Sequence, residues 1–251
     1  LGRQEEKMIG SLEWWGGALV VVVATILQTV TGFGFALVAV PLFLFFLDPH
    51  TAVLLNLMIS FASHIFLTLQ VKEDIIKPTV RNLYLGSLLG LLPGLYIFLT
   101  IDEGILKLII SGISVAFAGS LLMNIAPKGI KGAKAELMVG AISGSLSSSV
   151  GMPGTPIALY FNQMELPKHQ FRATSALYFT LLFPSTLLLM ALAGSIRLET
   201  VYLALSLFPF TFAGKNLGYR IFSRVSQQQF QKGVPMIVIT AAVYVLLSQL
   251  N

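Results

Sequence analysis

Two stretches of this chain carry clustered glycines where a membrane segment ought to be continuous. They are "LQTVTGFGFALVAVP", Leu27 to Pro41, and "SLSSSVGMPGTPIAL", Ser145 to Leu159. Lipid cannot hydrogen-bond the backbone groups that such breaks release. A break at that depth is therefore tolerated only where protein or a water-filled cavity surrounds it. Matched, interrupted, short apolar segments in two halves of a chain point to a transporter's binding site.

The rest of the sequence supports a membrane setting. Of 251 residues, 55% are hydrophobic and only 11% charged, with a mean hydropathy of +0.83. A soluble domain carries about 25% charged residues. Apolar segments run at about 14–30, 35–47, 50–71, 81–100, 104–125, 136–149, 155–165, 172–193, 199–222 and 228–248. The long ones have the roughly 20 residues that a helix needs to span a bilayer, and none shows the alternation of an outer-membrane barrel. The first two, and the sixth and seventh, are mostly too short to span alone and read as hairpins with tips inside the membrane. The expected fold is an all-α polytopic membrane protein of two inverted repeats. Each repeat is a broken, re-entrant helical hairpin plus three transmembrane helices.

The repeat rests on glycine spacing. An offset of 119 residues pairs Gly32 with Gly151 and Asn56 with Ser175. After small loop changes Gly90 and Gly94 pair with Gly214 and Gly218. Charge supplies the inversion. In the first half the loops at 72–81 and 126–134 are basic, and those at 48–50 and 101–103 have no Lys or Arg. In the second half the basic loops, 165–172 and 220–232, are the counterparts of the non-basic ones. Basic loops stay in the cytoplasm, so both termini are expected outside. The expected organisation is an exposed tail at 1–13 (not a signal peptide), membrane repeats at 14–125 and 136–251, and a basic cytoplasmic linker at 126–135. The net charge of +5 reads as loop orientation and not as nucleic-acid binding.

Candidate site residues follow from the tips. The first offers Thr29, Thr31, Gly32 and Gly34; the second offers Ser148, Ser149, Gly151, Gly154 and Thr155. Glycines admit close backbone approach, and the arm leaving each tip starts a helix whose free N–H groups favour an anion. Such a site is rich in donors and poor in fixed charge, which suits a small oxyanion. The competing reading is that these small residues serve helix packing. Lys215, with Asn216 beside it, is either the anion's counter-charge or a lysine snorkelling to the cytoplasmic edge with Arg220. Asn56, Ser60, Ser63 and His64 share one helical face that could line the pathway. His64 is either a proton-exchanging group or a hydrogen-bonded structural residue. Ser175, with Thr174 and Tyr178, is the matching patch in the second half.

All eleven acidic residues fall at segment ends or in loops, which gives no support to a carboxylate relay. There is no cysteine, no metal-ligand spacing, no P-loop and no nucleophile elbow. No cofactor, metal or enzymatic activity is expected.

At "TGFGFALVAVPLFLFFLDPHTAVLLN" (Thr31 to Asn56), "GAISGSLSSSVGMPGTPIALYF" (Gly140 to Phe161) and the two G-x-x-x-G pairs, the chain resembles the sulfite exporter TauE/SafE family. The resemblance implies a permease of a prokaryotic cytoplasmic membrane. It implies export of sulfite or organosulfonates such as sulfoacetate, by alternating access around a midplane site. An anion channel and a non-transporting scaffold or receptor are the competing readings. The partners expected are the anion and membrane lipid. Small-residue helix faces leave a homodimer open.

Overall fold

The computed structural model describes residues 12–31, 34–70, 74–123, 131–222 and 239. Regular structure among them is entirely helical: α1 Leu12–Thr31, α2 Phe35–Phe43, α3 Pro49–Gln70, α4 Lys77–Thr100, α5 Glu103–Leu122, α6 Ala133–Val150, α7 Gly154–Gln163, α8 Lys168–Leu192, α9 Leu198–Leu207 and α10 Pro209–Phe222. Four of these, α3, α4, α5 and α8, are long and apolar enough to cross a membrane. The protein is all-α and polytopic.

The two interrupted pairs are unequal in their arms. The first arms, α1 with 20 residues and α6 with 18, are longer than the sequence suggests. At 1.5 Å per residue they reach about 27–30 Å. The second arms, α2 with 9 residues and α7 with 10, cover only about half of that. One interruption is chemically legible. Gly151 closes α6 in the left-handed conformation, φ +70. That turn directs the N–H groups of Gly151 and Met152 back to the Leu146 carbonyl, the latter at 3.1 Å. Carbonyls left orphaned at the helix end are satisfied this way.

A second difference from the sequence reading lies at 199–222, expected as one segment. It divides into α9 and α10 at Phe208 and Pro209. Proline has no N–H to give the preceding turn. Thr211 then tightens the start of α10, its N–H reaching the Phe208 carbonyl at 3.0 Å and its hydroxyl the same oxygen at 2.7 Å.

Aspartates open two of the long helices. Asp48 accepts the Thr51 N–H at 2.9 Å ahead of α3, and Asp102 accepts the Gly104 N–H at 2.8 Å at the head of α5. These carboxylates satisfy donors that a helix start leaves free. Partial burial pushes the Asp48 carboxyl up, but the N–H and hydroxyl of Thr51 and the His50 ring outweigh it. The group is held below the usual carboxylate range.

The tightest seam joins α4 to α6. Gly86, Gly90 and Gly94 lie directly against the carbonyls of Leu137, Ala141 and Ser145, so a Cβ at any of them would strike backbone oxygen. Gly140 and Gly144 meet the carbonyls of Leu83 and Ser87 in the same way. Close backbone approach of this kind is how membrane helices gain packing without a hydrophobic drive. Hydroxyls lace α8 into the seam. Ser87 Oγ is 2.7 Å from the Tyr178 hydroxyl, which donates to Ser143 Oγ at 2.7 Å. Ser143 donates in turn to the Pro153 carbonyl at 2.6 Å. The other cross-half seam joins α10 to α1 and is looser. A Cβ on Gly214 would stand 2.7 Å from both Thr25 Cβ and the Val22 carbonyl oxygen, and one on Gly218 3.0 Å from Thr29 Cβ, whereas in the first seam backbone oxygen lies closer still. Between the two seams α3 packs on α8, and α9 on α3.

Candidate functional site

A cavity of about 50 Å³ opens beside the looser seam. At ~10–15 Å³ per water position it holds about three to five waters, the scale of a small polyatomic ion. Its polar wall is Thr25, Gln28 and Thr29 of α1, Ser63 of α3, Arg172 of α8, and Thr211 and Lys215 of α10; Phe66, Leu67 and Phe212 supply an apolar side. Four helices thus bring two cations and five neutral polar groups to one small space.

The electrostatics of that wall are one-sided. Among the described residues no carboxylate pairs with Arg172 or Lys215. Three buried atoms of the lining residues also lack a hydrogen-bond partner: Thr25 Oγ1, Ser63 Oγ and Arg172 Nε. A buried polar group without a partner costs about 1–3 kcal/mol. All three are donors by their chemistry, and their residues border the cavity. An anion 4 Å from a cation at an effective dielectric of ~20 gains about 4 kcal/mol. The wall offers two such cations and, among the described residues, no carboxylate.

The structure brings some of the sequence candidates to this cavity and not others. Thr29 and Lys215 line it. His64 sits behind Gln28, whose amide nitrogen is 3.3 and 3.4 Å from its ring nitrogens. Asn56 lies further along the same face of α3, fully buried, and donates to the Gly151 carbonyl at 2.7 Å. It therefore ties α3 to the second tip. Asn216 is on the exposed side of α10. The serines of α6 are placed in the helix seams. Ser148 donates to the Leu91 carbonyl of α4 at 2.8 Å, Ser149 to Ser145 at 2.6 Å, and Ser147 pairs with Thr186 of α8 at 2.8 Å. Ser175 donates to the Phe171 carbonyl within its own helix. Gly154 faces the Phe179 ring at 3.7 Å, and Thr155, beside it, is half-buried. Gly34 starts α2 at φ +96. Gly32 and the Thr31 side chain lie outside the described residues.

Thr25, Gln28 and Thr211 are cavity residues that sequence reasoning passes over. Each is a single polar residue in an apolar run, with the signature of a packing residue. The available signal is spacing: Thr25, Gln28 and Thr29 fall at i, i+3 and i+4, one helical face.

A family model described as "Sulfite exporter TauE/SafE" matches residues 17–245. The chain belongs to that family. No curated protein and no solved structure matched it. As a TauE/SafE protein it is an integral membrane permease of a transport family, and a cavity with positive charge and no matching acid among the described residues accords with small anions as cargo.

Proposed function

We propose that this TauE/SafE protein is a secondary transporter that exports small sulfur-containing anions, such as sulfite or organosulfonates, by alternating access. The observation that carries this reading is the cavity, whose two cations have no carboxylate partner among the described residues and whose lining residues hold three buried polar atoms without a hydrogen bond. Arg172 and Lys215 attract and hold the anion, and Thr25, Thr29, Ser63 and Gln28 complete its hydrogen bonds. The hairpin tips then act mainly as structural breaks that give α1 and α6 their positions.

The swapped seams support an inverted repeat. The fourth helix of the first half, α4, packs on α6, the first helix of the second half; the counterpart α10 packs on α1. Arg172 stands in the second turn of α8, after the basic stretch at Lys168, and Lys215 stands two turns before the end of α10 near Arg220. By the positive-inside rule the cavity then faces the cytoplasm. That is the state in which an exporter receives its cargo.

Sulfite and sulfoacetate flux into proteoliposomes tests the reading, with wild type beside Lys215→Ala and Arg172→Ala. Each substitution is expected to lower flux at least tenfold, since removing one partly screened cation forfeits more than about 1.4 kcal/mol. Saturation and counterflow separate a carrier from a channel. Flux untouched by both substitutions would take the site away from this cavity. Absence of flux for either anion, in folded protein, would overturn the substrate class.

A further inference from the structure

His64 lies behind the cavity wall and is 3% exposed. Its Nδ1 is 2.8 Å from the Ser60 carbonyl. A carbonyl only accepts, so Nδ1 carries the proton and Nε2 of the neutral ring is bare. The rings of Phe179 and Phe183 on α8 close the imidazole edge-on, with centroids at 5.1 and 5.3 Å. Its polar neighbour on α1 is Gln28. The amide nitrogen is nearly equidistant from both ring nitrogens, at 3.3 and 3.4 Å, and so lies over the ring edge between them. The Gln28 oxygen makes no hydrogen bond among the described residues, and the residue also lines the cavity. The charged groups on that cavity are Arg172 from α8 and Lys215 from α10. Tyr178 of α8 is turned to Ser87 and Ser143 instead.

We propose that His64 is a proton-binding site coupled to the anion cavity, and that the Gln28 amide carries the coupling. This rests on the anion reading of the cavity. In the neutral state the Gln28 NH2 group is held over the imidazole, and its carbonyl oxygen is left to the cavity, where it repels an anion. A proton taken by His64 Nε2 makes the ring a cation. The ring then repels the NH2 group and attracts the amide oxygen. A half-turn of the amide satisfies the imidazolium and delivers two N–H donors to the cavity. The anion returns the effect: its charge offsets Arg172 and Lys215, which otherwise oppose a third cation nearby. Each ligand therefore raises the affinity of the other, by the same factor in both directions. The transported species is an anion accompanied by a proton.

Calorimetric titration of the purified full chain with sulfoacetate tests this, because the charge of that probe is constant near neutral pH. Titrations in two buffers of different ionisation heat give the protons taken up per anion bound. Wild type is expected to take up as much as one proton, with affinity rising by up to about tenfold for each pH unit of acidification. His64→Asn is expected to bind with no pH dependence. Gln28→Met, which keeps the imidazole, is expected to bind more weakly and with less proton uptake. Binding without proton uptake in wild type overturns the proposal. So does unchanged uptake in His64→Asn or unchanged coupling in Gln28→Met. If wild type binds neither sulfoacetate nor sulfite at any pH, the cavity is no anion site and both readings fall.

Discussion

Gly90→Ala and Gly112→Ala make the same chemical change with opposite expected outcomes. Either one gains about 0.8–1.0 kcal/mol from helix propensity. At Gly112 a Cβ has nothing within 4 Å, so the gain stands and the protein is stabilised by up to about 1 kcal/mol. At Gly90 the new methyl group runs into the Ala141 carbonyl and the Ser145 backbone of α6. Neither can rotate away as a side-chain end would, so α4 and α6 must separate. Overpacking costs about 1–3 kcal/mol. With backbone as the obstacle, and four further glycines losing contact together, the net effect after propensity is about 1–2 kcal/mol of destabilisation. The two variants should therefore differ by about 2–3 kcal/mol, or roughly 5–10 °C in melting temperature at ~2–4 °C per kcal/mol. Thermal unfolding of the detergent-purified variants measures this directly. If Gly90→Ala melts at or above Gly112→Ala, the seam is not held by backbone proximity and the reasoning fails.

Gly151→Ala and Gly194→Ala separate strain from crowding. Both residues have positive φ, +70 and +72, but a Cβ on Gly194 meets nothing while one on Gly151 stands 3.2 Å from Asn56 Nδ2 and Val53 Cγ1. Each should lose about 1–2 kcal/mol to the left-handed conformation; Gly151→Ala should melt lower still, and equal melting would show that Asn56 does not press on the tip. Asp48 makes an acid-sensitive contribution. Its carboxyl is held below its ordinary value, so its stabilisation is complete above the unfolded-state value and fades as pH falls through the folded one. Asp48→Asn should flatten the loss of melting temperature on acidification, and an unchanged profile would remove Asp48 from the account.

The helical membrane class was legible because long apolar runs admit few alternatives. The G-x-x-x-G pairs were legible as well: Gly90 and Gly94 on α4, and Gly214 and Gly218 on α10, are the residues that meet the neighbouring helix. The division at Pro209 was present in the sequence but hidden by a continuous hydropathy signal. The candidate site was only partly readable. Lys215 and Thr29 drew attention by their depth and by their place near a glycine break, and both line the cavity. The serines near Gly151 drew attention by their place at the second tip, and a helical serine also readily bonds a carbonyl one turn back. Ser149 does this, and Ser148 bonds across to Leu91. Arg172 stands at a segment end, where the sequence suggests an anion-attracting charge at the cytoplasmic mouth, and the second turn of α8 carries it onto the cavity.

The exchange of partners between the halves also bears on how the chain is made. During synthesis α4 emerges before α6 and presents a strip of bare backbone that no helix of its own half covers. It must wait in lipid through α5 and the connecting segment until α6 is inserted. Only then do its glycines acquire the surface they fit, and α1 waits longer still for α10. The two halves are thus assembled as an interlocked pair, and neither is a finished object by itself.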